Sequence, residues 1–94
     1  MFVGVVIGNV WATKKEDALN GLKLMVVQRI EPSSDKRLES LVAADCVGAG
    51  IGEQVLVVTG SSARMALSSS SIPVDAAIIG ILDEVEIVDR IGDR

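Results

Sequence analysis

The chain has 94 residues but no histidine, no tyrosine, one cysteine, one phenylalanine, one tryptophan and two prolines. Each shortage excludes something. Without histidine, the side chain most often used as a general base and as a metal ligand is missing. Cys46 is the sole cysteine, so no internal disulfide can form and a reducing compartment is expected. Two aromatic residues and a net charge of −4 supply neither the stacking platforms nor the clustered Lys and Arg that nucleic acid requires. No apolar run approaches the ~20 residues of a membrane-spanning helix. The opening MFVGVVIGNVWA lacks a positive leading segment, and its glycines and β-branched residues suit a strand, so it reads as mature structure and not as a signal peptide.

What the chain does have is aliphatic bulk: 49% of residues are apolar, nearly all Val, Ile, Leu and Ala. A chain this short buries only roughly 60–65% of its unfolded surface. So much apolar content in one small domain, taken as residues 1–94, points to burial between subunits and hence to an oligomer.

The periodicity predicts five strands. Residues 2–12 place Phe2, Gly4, Val6, Gly8 and Val10 on one face and are apolar on both. The charge run Lys14-Lys15-Glu16-Asp17 reads as a solvated hairpin tip, and Asn20-Gly21 as a turn. The second strand is expected over 22–30, the third over 37–47, the fourth over 54–59 and the fifth over 76–88, with a bulge or close packing at Gly80. Between the last two, Ser61 or Ser62 is expected to cap a short helix through Ala63–Leu67. Ser68–Ser71 reads as a loop closed by Pro73, and 89–94 as a flexible tail. The fold class is mainly β: a small five-stranded, OB-like barrel with one short helix before the last strand.

The most distinctive stretch is Asp45–Arg64, DCVGAGIGEQVLVVTGSSAR. Glycines at 48, 50 and 52 leave one face of the segment bare. A dinucleotide fingerprint would need glycine where Glu53 stands, and no Gly-Lys-Ser/Thr follows, so phosphate-binding loops are excluded. Ser61 and Ser62 lie in a strand-to-helix turn, but the nucleophile-elbow pattern and a general base are absent. No catalytic residue, cofactor site or metal site is assigned. Cys46 is expected to be a buried packing thiol. Asp83, Glu84 and Glu86 are expected on a strand, solvated or paired with arginine. Arg64, just inside a helix start, is unfavourably placed for the helix dipole, so an acidic partner is expected, either Asp75 or a residue of a neighbouring subunit.

Taken together, these residues resemble the vertex proteins of bacterial microcompartment shells, the group that includes the carboxysome and ethanolamine-utilisation pentamer proteins. The resemblance is carried in order by G-x-V-x-G-x-V at Gly4 to Val10, Ala12-Thr13, L-x-G-x-K-L at Leu19 to Leu24, Asp45, and Val47-Gly48-Ala49-Gly50. It continues through Gly52-Glu53, Gly60-Ser61-Ser62-Ala63-Arg64, Pro73-Val74-Asp75, Ile79-Gly80-Ile81 and Asp83. It implies a homo-pentamer that caps the fivefold corners of a polyhedral shell in the bacterial cytoplasm, flanked by hexagonal shell proteins, with no catalysis of its own, no nucleic acid and no membrane partner. It also implies that Gly48, Ala49, Gly50, Ile51 and Gly52 line a narrow axial opening, where backbone N–H groups could favour small anions. Ser61, Ser62, Arg64 and Asp75 then fall near the subunit contacts or the helix cap. The competing readings are an ordinary bulged turn for the glycine loop and, for the whole chain, a small oligomeric barrel that binds a small molecule or regulates a partner.

Overall fold

The computed structural model describes residues 1–13, 15–68 and 73–87. Lys14, Ser69–Ser71, the predicted strand end at Val88 and the predicted tail lie outside the described residues. The elements are β1 (Phe2–Val10), a 3₁₀ turn (Asp17–Leu19), β2 (Leu24–Glu31), β3 (Lys36–Asp45), β4 (Gln54–Thr59), α1 (Gly60–Ala66) and β5 (Ala76–Leu82). The strands close into a barrel in the order β1-β2-β3-β5-β4, as expected of the fold class. Four pairings are antiparallel; β3 and β5 are parallel and meet only at Ala44↔Ala77 and Asp45↔Ile78.

The core follows from the alternation of the strands. Met25 and Val27 of β2, Val55 and Val57 of β4, Val6 of β1 and Ile78 of β5 are all sealed from solvent. Burial of each contributes about 1.5–3 kcal/mol. Gly4 is required by this packing: a Cβ there would lie 2.5 Å from Val27 Cγ1 and 3.0 Å from the Gln28 carbonyl oxygen. A second cluster lies outside the barrel, where Ala63 and Leu67 press on Val58, Ala77 and Ile79. α1 thereby covers the outer face of β4 and β5 around Val58 and Ala77, while the core covers the inner face.

Several boundaries differ from the expectation. β1 stops at Val10, and Trp11 and Ala12 lie beyond it. The expected alternation also breaks: Val6 pairs with the core residue Val27, but Gly8 pairs with Val26, so Ile7 is an extra, bulged residue. A bulge shifts the alternation by one and re-aims the rest of the strand. A bulge is present near Gly80 as well, with Leu56↔Gly80 followed by Val57↔Ile78. β5 ends at Leu82, so Asp83, Glu84 and Glu86 are exposed but not on a strand. α1 begins at Gly60 with Thr59 as its N-cap and no side-chain cap bond. Ser61 and Ser62 are therefore inside the first turn and cap nothing. Gly60 adopts a left-handed φ of 62°, and its N–H donates to the Asp75 carbonyl at 2.8 Å; this backbone bond fixes the helix start.

Candidate functional site: the glycine loop

The loop between β3 and β4 is organised by two carboxylates. Asp45, the last residue of β3, has a side chain only 1% exposed. Its Oδ1 accepts hydrogen bonds from the N–H groups of Val47 (3.0 Å) and Gly48 (3.1 Å), and its Oδ2 from Ala49 (2.9 Å). An aspartate at a strand end readily takes such bonds from the next few residues of the chain. Lys23 Nζ lies 3.9 Å from Asp45 Oδ2 and donates to the Ala49 carbonyl at 3.3 Å. Further along, Glu53 Oε1 accepts the Gly50 N–H at 2.7 Å, while the Glu53 N–H donates to the Gly50 carbonyl at 3.1 Å. Two backbone bonds tie the loop to β1: Gly52 N–H to the Val6 carbonyl (2.8 Å) and Val6 N–H to the Glu53 carbonyl (3.0 Å).

This arrangement revises three expectations. The amides of Val47 to Gly50 are already held by Asp45 and Glu53, so they form no free cradle for an anion, and both carboxylates would repel one. Ala49 is wholly buried in the barrel core, so its side chain cannot line an opening; Gly48, Ile51 and Gly52 are exposed and Gly50 half-buried. The glycines do not form one bare face. Gly48 and Gly52 are there for conformation, with φ of 78° and 93° and nothing within 4 Å of an added Cβ. Gly50 has no left-handed φ, and a Cβ there would meet only Glu53 Oε1, at 3.3 Å. Between them the loop presents Ile51, 61% exposed.

Cys46 is exposed, just past the end of β3, and not a buried packing residue. Partial desolvation and, secondarily, the Asp45 carboxylate push its thiol above the ordinary range, so it is a poor nucleophile. Arg64 falls in the last turn of α1 and not the first, a position where the dipole favours a cation. Among the described residues, no ion pair joins Arg64 to Asp75, which are linked only in that α1 starts on the Asp75 carbonyl. No group of three or more metal-ligating side chains occurs among the described residues. Sequence reasoning misses the roles of Lys23 and Glu53. Asp45 with Val47-Gly48 just after it is a local turn signal that points to the first clamp, whereas Lys23 joins from a distant part of the chain.

The family described as "Ethanolamine utilisation protein EutN/carboxysome" matches residues 1–83. The chain is 44% identical over 89 residues to the bacterial microcompartment shell vertex protein GrpN of Rhodospirillum rubrum (strain F11), covering 95% of this chain and 100% of that one. It is 45% identical over 85 residues to the shell vertex protein EutN of Escherichia coli (strain K12), covering 90% of each. It is 43% identical over 90 residues to the carboxysome shell vertex protein CcmL of Synechococcus elongatus, covering 96% of this chain and 91% of that one. The solved structure of GrpN, a pentameric microcompartment shell protein, matches with a TM-score of 0.82 at 45% identity, over 94% of this chain and 100% of that one.

Proposed function

This chain belongs to the ethanolamine utilisation EutN/carboxysome family of microcompartment shell vertex proteins, and we propose that it forms a homo-pentameric ring that caps the fivefold vertices of a bacterial microcompartment shell. The observation that carries this reading is the match to pentameric GrpN, which spans the whole of that chain. The physical properties of the subunit agree. Its barrel is small, and Trp11, Ile51, Met65, Val42 and Ile7 are left exposed, side chains that contacts between subunits would cover.

In this reading the protein is a structural part and not a catalyst. It lies in the shell, in the bacterial cytoplasm, with hexagonal shell proteins as its neighbours. A closed polyhedron needs fivefold corners among its flat hexagons, and a ring of five identical chains supplies one. Gly48, Gly50, Ile51 and Gly52 line the axial opening of that ring. Identities of 44%, 45% and 43% to GrpN, EutN and CcmL differ too little to favour one shell type, so the reading concerns position in the shell and not cargo. A small-molecule-binding barrel is less well supported: a cleft of about 350 Å³ is lined mainly by aliphatic side chains, and its charged lining residues, Arg29 and Glu31, are both exposed, so no buried polar group orients a ligand there.

Light scattering at micromolar concentration tests the assembly. The expected mass is about 50 kDa, five chains of 9.9 kDa; a monomer would overturn the reading. In the same experiment Gly50→Trp should block or break the ring. A Gly50→Trp pentamer with an open axis would remove the loop from the opening and leave the vertex reading intact.

A further inference from the structure

Exposed apolar side chains lie toward one end of the barrel. Trp11, 89% exposed, lies just past the end of β1; Ile7 is the bulged residue of that strand; Val47 stands at the start of the glycine loop. The strand register brings the elements that carry them to the same end: Val10 pairs with Leu24, and Leu24 with Ala44, next to Asp45. Gly52 is bonded to Val6, next to Ile7, and Lys23 shares a cleft with Trp11 while bonding Ala49 in the loop. The loop is held by its two carboxylates, so its part of this rim is already ordered before any partner arrives, which lowers the cost of association. Tryptophan buries more apolar area than any aliphatic side chain and is enriched among residues that dominate binding energy. Lys15 and Lys23 share the cleft with Trp11; Lys23 faces Asp45 of its own chain, whereas Lys15 has no ion pair among the described residues, so Lys15 is the cation at the edge of the rim.

A surface of matching character occurs on the same chain. From the end of β5 onward, Ile81, Val85 and Ile87 are exposed and interleaved with Asp83, Glu84 and Glu86, also exposed. Among the described residues no strand pairs with 83–87. This segment leaves the barrel beside Gln54, the partner of Leu82 and the first residue of β4 after the glycine loop. The chain thus carries an apolar rim with a lysine at its edge and an apolar strip with carboxylates. A closed ring needs two such different surfaces on each subunit, each facing its complement on the next copy.

We propose that the Trp11 rim of each subunit receives the Ile81–Ile87 segment of the neighbouring copy, with Trp11 as the anchoring side chain and Lys15 facing the acidic residues of that segment. This rests on the pentameric reading and names the surfaces that close the ring. Trp11 is the only tryptophan, so its fluorescence reports on this contact alone. In the assembled protein, acrylamide should quench Trp11 several-fold less than a free tryptophan analogue. Trp11→Ala, at a site outside the core, should keep the monomer fold by circular dichroism and raise the ring's dissociation constant roughly 30-fold. Lys15→Glu should weaken assembly about fivefold, and adding Glu84→Lys and Glu86→Lys should restore it to within about twofold. A pentamer in which Trp11 is quenched like the free analogue, or which Trp11→Ala leaves unweakened, overturns the proposal while sparing the vertex reading. Failure of the charge exchange to restore assembly overturns Ile81–Ile87 as the occupant. Absence of any pentamer in the wild type overturns both.

Discussion

Replacing Asp45 by alanine should cost far more than removing its ionic partner. The carboxylate accepts three backbone N–H groups at 2.9–3.1 Å. Two of these, on Val47 and Gly48, belong to exposed residues; they can return to water, and each bond is worth a net ~0.5–1.5 kcal/mol. The Ala49 amide belongs to a wholly buried residue, and leaving it without an acceptor costs ~1–3 kcal/mol. Allowing for non-additivity, Asp45→Ala should destabilise the chain by about 2–4 kcal/mol, a large share of the ~5–15 kcal/mol typical of a domain. Lys23 is different. Its Nζ is 3.9 Å from the carboxylate and its side chain is 54% exposed, so Lys23→Met should cost less than about 1 kcal/mol. Urea unfolding monitored by circular dichroism measures both. All variants must be compared at one protein concentration, because assembly adds to apparent stability. Hydrogen exchange at Val47, Gly48 and Ala49 should accelerate in Asp45→Ala and not in Lys23→Met. Equal costs for the two variants, or an Asp45→Ala cost below about 0.5 kcal/mol, would refute the assignment of the carboxylate as organiser of the loop.

Two other outcomes are set by the geometry. Gly4→Ala should destabilise by about 1–3 kcal/mol, since Val27 Cγ1 and the Gln28 carbonyl already occupy the space of the new methyl; a neutral effect in the same urea titration would show that β1 and β2 are less tightly packed. Cys46 should react with iodoacetamide at pH 8 more slowly than free cysteine, because partial desolvation and then Asp45 raise its thiol and reduce the thiolate fraction. A rate above that of free cysteine would contradict this electrostatic setting.

The alternation of apolar residues is enough to read five strands, their order along the chain and the helix before the last one. It fails where a single extra residue changes the face, as at Ile7, because a bulge depends on the partner strand and not on the strand's own pattern. It also fails at both ends of α1. A small displacement, caused by the left-handed start at Gly60, moves Ser61 and Ser62 from the cap into the helix and Arg64 from the unfavourable to the favourable end. At the loop, the glycines are conspicuous in the sequence but their reasons are not. φ at Gly48 and Gly52 is set by where Asp45 and Val6 pull the chain, and Lys23 reaches Ala49 across 26 positions of sequence, a separation over which no local pattern carries information. The burial of Cys46 turns on whether β3 ends at 45 or continues to 47, a difference that strand periodicity does not resolve.

These distinctions narrow what the ring can require of the loop. Gly48 and Gly52 would be needed in an isolated subunit, since an L side chain at their φ is strained whatever space surrounds it. Ala49 is fixed by the core. Gly50 is the position least explained within one chain: its backbone is ordinary, and the single atom near a Cβ is the carboxylate oxygen of Glu53, which would have to yield by only a few tenths of an ångström. A small residue kept where one chain tolerates a larger one is what crowding among five copies around an axis would produce. In the proposed ring, close approach of subunits at the axis would therefore depend on Gly50, with Ile51 beside it as the exposed apolar tip, and not on the whole run of glycines.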